Sequence, residues 1–358
     1  MRLKLVLLLA GALFLALTGF AFGSLPFIPG AEHSDAVVSH WPAALYWRQS
    51  LVADETFPLW RETIMAGAPF AANPLNKTAY PFQWLALLLP AAEHLDLLII
   101  VHGLLAGAGM YCWARGLGLV PGAAAVSALS YALGPRLIAH TAAGHLDLVY
   151  ALAWLPWWML TVKTLVDAPR MRAADGLGAA LAASLMMLAD LRLSLFGLGA
   201  GAIYALWLAI SSGSTRRLAR LLPVGALTLL LTISVTVPLI GWGPYLNRGA
   251  LTAEEAGLYS LEPAQLIGLI LAPGGGAVET LTSVGVPVLA LALMSAMAYR
   301  RRLLLWFVLL ALALIYGLGL NSLVWRAFTD LFPPLLWFRV PARAWVLAAL
   351  IAPLLAGY

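Results

Sequence analysis

Apolar runs recur along the whole chain, and charges gather between them. The first run, Leu5 to Gly30, contains no charged residue. A membrane crossing needs about 20 apolar residues in a helix. On that ruler the pattern predicts about ten transmembrane helices. Their cores lie near 5–23, 95–114, 121–140, 147–166, 173–190, 193–211, 221–240, 283–299, 303–320 and 343–358. The run PFQWLALLLP at 81–90 is too short to cross and reads as interfacial or re-entrant. Small residues in GLLAGAGM and GAAAVSALSYALG allow helices to approach closely. Arg2 and Lys4 give a basic start resembling a signal peptide, but the apolar run that follows exceeds a signal core of roughly 7–15 residues. The first span is therefore expected to be retained.

Composition agrees with the pattern. The chain has 358 residues, 62% hydrophobic and 10% charged. Soluble domains carry about 25% charged residues, so too few charges are present to cover a water-soluble fold. The expected class is an all-α polytopic membrane protein. Its single cysteine, Cys112, excludes an internal disulfide and a cysteine metal cluster. The net charge of +5 follows membrane topology and is not read as a nucleic-acid footprint. With the N-terminus in the cytoplasm and the spans alternating, one side collects Arg2, Lys4, Arg115, Lys163, Arg170, Arg172, Arg216, Arg217, Arg220, Arg300, Arg301 and Arg302. Only Asp167 and Asp175 join them, as the positive-inside rule expects.

The opposite side carries the long loops, about 24–94, 241–282 and 321–342. Long loops are more often functional than connective. Residues 1–358 read as one transmembrane domain. The chain ends at IAPLLAGY, inside an apolar run without a basic cap, which suggests a longer parent sequence. The Ala-, Leu- and Arg-rich, Lys-poor composition suggests a bacterial inner (cell) membrane, so the NKT sequon at 76–78 is discounted as a glycosylation site.

Four stretches, in order, carry a resemblance. Asp35 follows the first span within AEHSDAVVSHW. FPLWRETIMAGAPFAANPLNKTAYP covers 57–81, AGHLDLVYALAWLPWW covers 143–158, and FRVPAR covers 338–343. Together they resemble the GT-C superfamily of integral membrane glycosyltransferases, and most closely the bacterial YfhO-like family. The resemblance extends over almost the whole chain. It implies a GT-C-like helical domain with a large first extracytoplasmic loop. It also implies sugar transfer from a polyprenyl-phosphate donor to an extracytoplasmic glycan, lipid or protein acceptor, with Asp35 as the catalytic residue. One segment departs from the family pattern: LADLRLS stands where members often carry a Gly-His-Pro-Gln-like stretch.

Such chemistry needs a base for the acceptor hydroxyl, cations or a metal for the leaving phosphate, and an apolar groove for the lipid. Asp35 sits at a low-dielectric boundary, where proton affinity rises, and suits the base; alternatively it caps a short loop helix. His33 and His40 are weak metal candidates beside Asp35, or solvated loop histidines. A divalent metal is compatible with these groups, while no nucleotide or redox cofactor is expected. LAPGGGA at 271–277 lacks the lysine and helix of a phosphate loop. His145 and Asp147 open the fourth expected span and either bind substrate or complement a helix N-terminus. Asp190 and Arg192 form either a substrate contact or a local ion pair. Arg339 and Arg343 flank Pro341. One helical turn would bring both to one face, to grip phosphate or to snorkel. Arg136 lies near the outer end of the third span and faces either a cavity or a headgroup. Trp60, with Trp41, Trp47 and Trp84, either stacks on sugars or belongs to an aromatic belt. Two other classes stay open: a lipid or oligosaccharide transporter or flippase, and a non-catalytic scaffold for envelope assembly.

Overall fold

A computed structural model of the chain describes residues 11, 23–25, 33–64, 66–245, 251–271 and 276–358. The first expected span, 5–23, lies outside the described residues except for Gly11 and Gly23, and LAPGGGA lies partly outside them. The described chain is helical almost throughout. One two-stranded pair stands apart, β1 (Trp60–Arg61) antiparallel to β2 (Ala68–Pro69), with Trp60 facing Pro69 and Arg61 facing Ala68.

The segment before the long helices is folded. A short turn, Ala36–His40, runs into α1 (Trp41–Val52). After the strand pair, 3-10 turns cover Pro74–Asn76 and Pro81–Leu87. Pro81 starts the second turn and Pro90 follows it, so PFQWLALLLP makes no membrane-length helix.

The main helices follow. They are α2 (Ala91–Gly116), α3 (Pro121–Ala132), α4 (Pro135–Ala142), α5 (Leu146–Asp167), α6 (Ala173–Ala189) and α7 (Leu191–Ser211). Then come α8 (Leu221–Leu231), α9 (Ile233–Trp242), α10 (Val286–Tyr299), α11 (Leu304–Gly317), α12 (Leu323–Leu331) and α13 (Val346–Gly357). By length and composition, α2, α5 and α7 can cross a membrane. The bent pair Thr215–Leu231 and Ile233–Tyr245 makes a fourth if counted as one span. The ten expected crossings are therefore not established. Helices α6, α10 and α11 are apolar but short, as is the last segment, Pro341–Gly357.

Two expected spans are broken, each for a local reason. The segment 121–140 divides into α3 and α4 at Leu133 and Gly134. Gly134 precedes Pro135, whose ring disfavours helical backbone in the residue before it. The segment 221–240 bends by 71° at Thr232. There the Thr232 hydroxyl donates back to Thr228 O at 2.9 Å, a bond that bends helices.

Helix α5 is the centre of the bundle. It packs on α2, α6 and α7, and buries Val149, Leu152, Leu155, Met159 and Val162. A helix apolar all round is a buried one. Its tryptophans explain the small residues opposite. The Trp158 indole N–H donates to Gly197 O at 3.0 Å, and a Cβ on Gly201 would lie 2.0 Å from that nitrogen. Trp157 similarly faces Gly109 on α2. Outer helices instead expose Leu229, Leu230, Ile240, Met294 and Met297, side chains suited to a lipid environment.

The two ends of α5 differ in chemistry. His145 and Asp147 stand at its start. At its end Arg217 donates to Val166 O at 3.0 Å, and Arg220 donates to Leu165 O and Ala168 O, each at 2.7 Å. These guanidiniums satisfy carbonyls that a helix C-terminus leaves open. Twenty-two residues separate the ends, a rise of about 33 Å.

Candidate functional site

Asp35 reaches the start of α5 through its backbone. Its N–H donates to Ala143 O at 3.1 Å, in the turn between α4 and α5. Gly144 permits this approach. It has φ +78°, and a Cβ there would lie 2.2 Å from Ala36 N. Asp35 occupies the cap position of the Ala36–His40 turn, yet its carboxylate makes no capping hydrogen bond. The side chain is 49% exposed, and its Oδ2 lies 3.6 Å from His145 Nε2. The capping alternative is thereby removed.

His145 joins Asp35 to a second group. His145 Nδ1 lies 2.8 Å from His140 Nδ1. Glu279 Oε2 lies 3.5 Å from His145 Nδ1 and 3.7 Å from His140 Nδ1. Glu279 sits in the turn Val278–Thr280. Arg136 holds that turn by donating to Glu279 O and Ala342 O, each at 3.1 Å, and to Leu281 O at 2.7 Å. Arg136 is buried and faces the protein, which removes the headgroup alternative. Arg343 Nη2 donates to Glu279 Oε1 at 2.7 Å. His140, His145 and Glu279 together present a donor set suited to a metal ion.

A separate network surrounds Asp147. Its Oδ1 accepts from the Lys77 ammonium and lies 3.4 Å from His40 Nε2. Its Oδ2 accepts from Arg192 Nη2 at 3.1 Å. Arg192 also forks onto Asp190, with both contacts at 3.0 Å. Asp190 caps α7 by accepting from the backbone N–H groups of Arg192 and Leu193. Both carboxylates and both cations in this chain are engaged by one another. Its main effect is to fasten Lys77 and His40 to α5 and α7. Burial and the neighbouring Lys77 push the His40 imidazole down to about 4, so it is neutral near pH 7.

Several expected residues separate. His33 is exposed and makes no ion pair among the described residues. His40 points to Asp147 and Lys77, so Asp35, His33 and His40 do not converge on one ion. Arg339 and Arg343 do not share a helix face. Val340 between them has φ +65°, and the 3-10 turn Pro341–Trp345 begins only after it. Arg343 reaches Glu279, while Arg339 makes no ion pair among the described residues.

Trp60 lines a cavity of about 670 Å³ with Phe57, Leu59, Trp84, Pro238 and Trp242. Thr78 and Ala79 line it too, and they directly follow Lys77. The apolar cavity and the Asp147 network thus draw on consecutive residues of the chain. Trp47 is fully buried against Phe57, Phe70 and Trp84 and belongs to the core.

Sequence reasoning passed over His140, Glu279 and the ion-pairing role of Lys77. His140 had a local signal, standing five residues before His145. Glu279 had none, because it meets the histidines only in three dimensions. No family model matches the chain, and a search of curated proteins finds no significant match.

Proposed function

We propose that the protein transfers a sugar from a polyprenyl-phosphate donor to an acceptor outside the cytoplasm of a bacterial cell, within the cell membrane. The observation that carries this reading is the pairing of two features. A half-exposed carboxylate, Asp35, lies against His145 and is free of capping duty. An apolar cavity with three exposed aromatic walls, Phe57, Trp60 and Trp84, is also lined by Thr78 and Ala79, which directly follow Lys77 of the Asp147 network.

In this reading the acceptor hydroxyl gives its proton to Asp35 as its oxygen attacks the anomeric carbon. The carbon–oxygen bond to phosphate breaks, and the lipid phosphate leaves with the bonding pair. The anomeric configuration inverts. Arg343, which reaches Glu279 beside His145, is the cation for the phosphate, and the cavity takes the start of the lipid chain. His145 steadies the Asp35 carboxylate.

The test uses membranes supplied with labelled polyprenyl-phosphate sugar. Asp35→Asn is expected to lose at least about 100-fold in transfer, while His33→Ala retains it. Full transfer by Asp35→Asn would remove the assignment.

One observation favours a second reading. The bent pair α8–α9 lines the cavity through Ser234, Pro238 and Trp242, and broken helices are common at transporter binding sites. A transporter would move the labelled lipid across the bilayer without forming a glycosidic bond, and Asp35→Asn would not change that.

A further inference from the structure

We infer that His140, His145 and Glu279 form a binding site for a single divalent transition-metal ion of the zinc class. Three atoms, His140 Nδ1, His145 Nδ1 and Glu279 Oε2, stand close together. Their separations are 2.8, 3.5 and 3.7 Å. A point equidistant from all three lies about 2.0 Å from each, the length of a zinc–imidazole or zinc–carboxylate bond. A small step out of their plane keeps all three bonds in range.

The chemistry of each donor points the same way. Glu279 is 6% exposed, and its Oε2 has no hydrogen-bond partner. A buried carboxylate oxygen left unmatched costs free energy. Its other oxygen is already held by Arg343, so Oε2 alone is directed at the two imidazoles. The imidazole nitrogens face each other, and without a cation one of them must carry a proton in this buried place. Two imidazoles and a carboxylate with an open position are a common zinc set.

The surroundings orient two of the three donors, His145 and Glu279, while His140 Nε2 is buried without a hydrogen-bond partner among the described residues. A metal-bound imidazole carries its proton on the other nitrogen and donates it to a carboxylate or carbonyl. His145 Nε2 faces Asp35 Oδ2 at 3.6 Å. Arg343 and Arg136 fix Glu279 by its side chain and backbone. Their two positive charges leave the bound ion incompletely neutralised, so any fourth ligand is expected to be an anionic oxygen. Identifying that oxygen with the donor phosphate rests on the transferase reading; the binding of the ion does not.

The experiment uses the full chain without a histidine tag, purified in detergent and stripped with a chelator. It is titrated with Co²⁺ alone, and then Zn²⁺ is added. A single Co²⁺ per chain is expected, with the visible absorption of a low-coordinate site that contains nitrogen ligands, displaced by equimolar Zn²⁺. Glu279→Gln and His145→Ala should each weaken binding by more than about 100-fold, and Asp35→Asn by about 10-fold. A wild-type chain that takes up no stoichiometric Co²⁺ overturns the proposal, whether or not the variants fold. Unchanged affinity in a folded His145→Ala also overturns it, leaving a hydrogen-bonded histidine pair only. The titration contains no sugar lipid and so reads ion binding alone; a chain that binds the ion here yet transfers nothing in the membrane assay counts against the transferase reading alone.

Discussion

At the residue scale, the ionisable groups divide into those matched among themselves and those with unused capacity. Asp147 belongs to the first kind. Removing its charge strands the Lys77 ammonium, whose side chain is 3% exposed. Asp147→Asn should cost about 3–5 kcal/mol, because a buried charge then lacks its partner. Adding Lys77→Met should restore most of that loss, and thermal unfolding in detergent reads both. His40 faces Lys77, Asp147, His145 and Arg192. Its folded value, about 4, lies below the unfolded 6.5. The unfolded chain therefore takes the proton first, and stability falls as pH drops from about 6.5 to about 4. The loss should approach about 3 kcal/mol, and His40→Gln should flatten that part of the stability–pH curve.

At the element scale, close contacts between helices and turns set the geometry. Gly201 on α7 admits the Trp158 indole from α5. Gly201→Ala should cost about 1–3 kcal/mol by overpacking, measured as a lowered unfolding midpoint. Gly144 has a different role. It lets the turn before α5 touch Ser34 and Ala36, and so brings Asp35 to His145. Gly144→Ala should lower transfer at least about 10-fold, since a small misplacement of a catalytic group is costly. The breaks between α3 and α4 and between α8 and α9 act at this scale too. The first turns the chain so that Arg136 and His140, both on α4, meet Glu279. The second brings Pro238 and Trp242 to the cavity wall.

At the scale of the whole molecule, α5 separates two ends of unlike charge. The carboxylates and imidazoles of the candidate site lie at one, and arginines on backbone carbonyls lie at the other. The positive-inside rule would place the arginine end in the cytoplasm. In a chain with Cys112 replaced by Ala, Val38→Cys should react with an impermeant maleimide in intact cells. Arg216→Cys should react only after permeabilisation. Both positions are exposed. Labelling of Arg216→Cys alone in intact cells would reverse the orientation and place Asp35 away from any extracytoplasmic acceptor.

The sequence by itself determined the location of the longest helices and that they are apolar enough to cross a membrane. Long uncharged runs can satisfy their backbone groups in lipid only as helices, so α2, α5 and α7 were legible. The helix-end positions of His145, Asp147, Asp190 and Arg192 were legible too, because charges interrupt apolar runs there. The tertiary structure alone decided where helices break and which polar groups meet. Hydropathy averages over a window and does not register the single residues, Gly134 with Pro135 and Thr232, that turn a helix. Nor does it pair groups distant in the chain. Glu279 joins His140 and His145 only because Arg136 and Arg343 hold its turn against α4 and the last helical segment. Arg339 is excluded from that group by the left-handed backbone at Val340. Periodicity sets what a segment can bury, whereas packing sets which buried charges must answer one another.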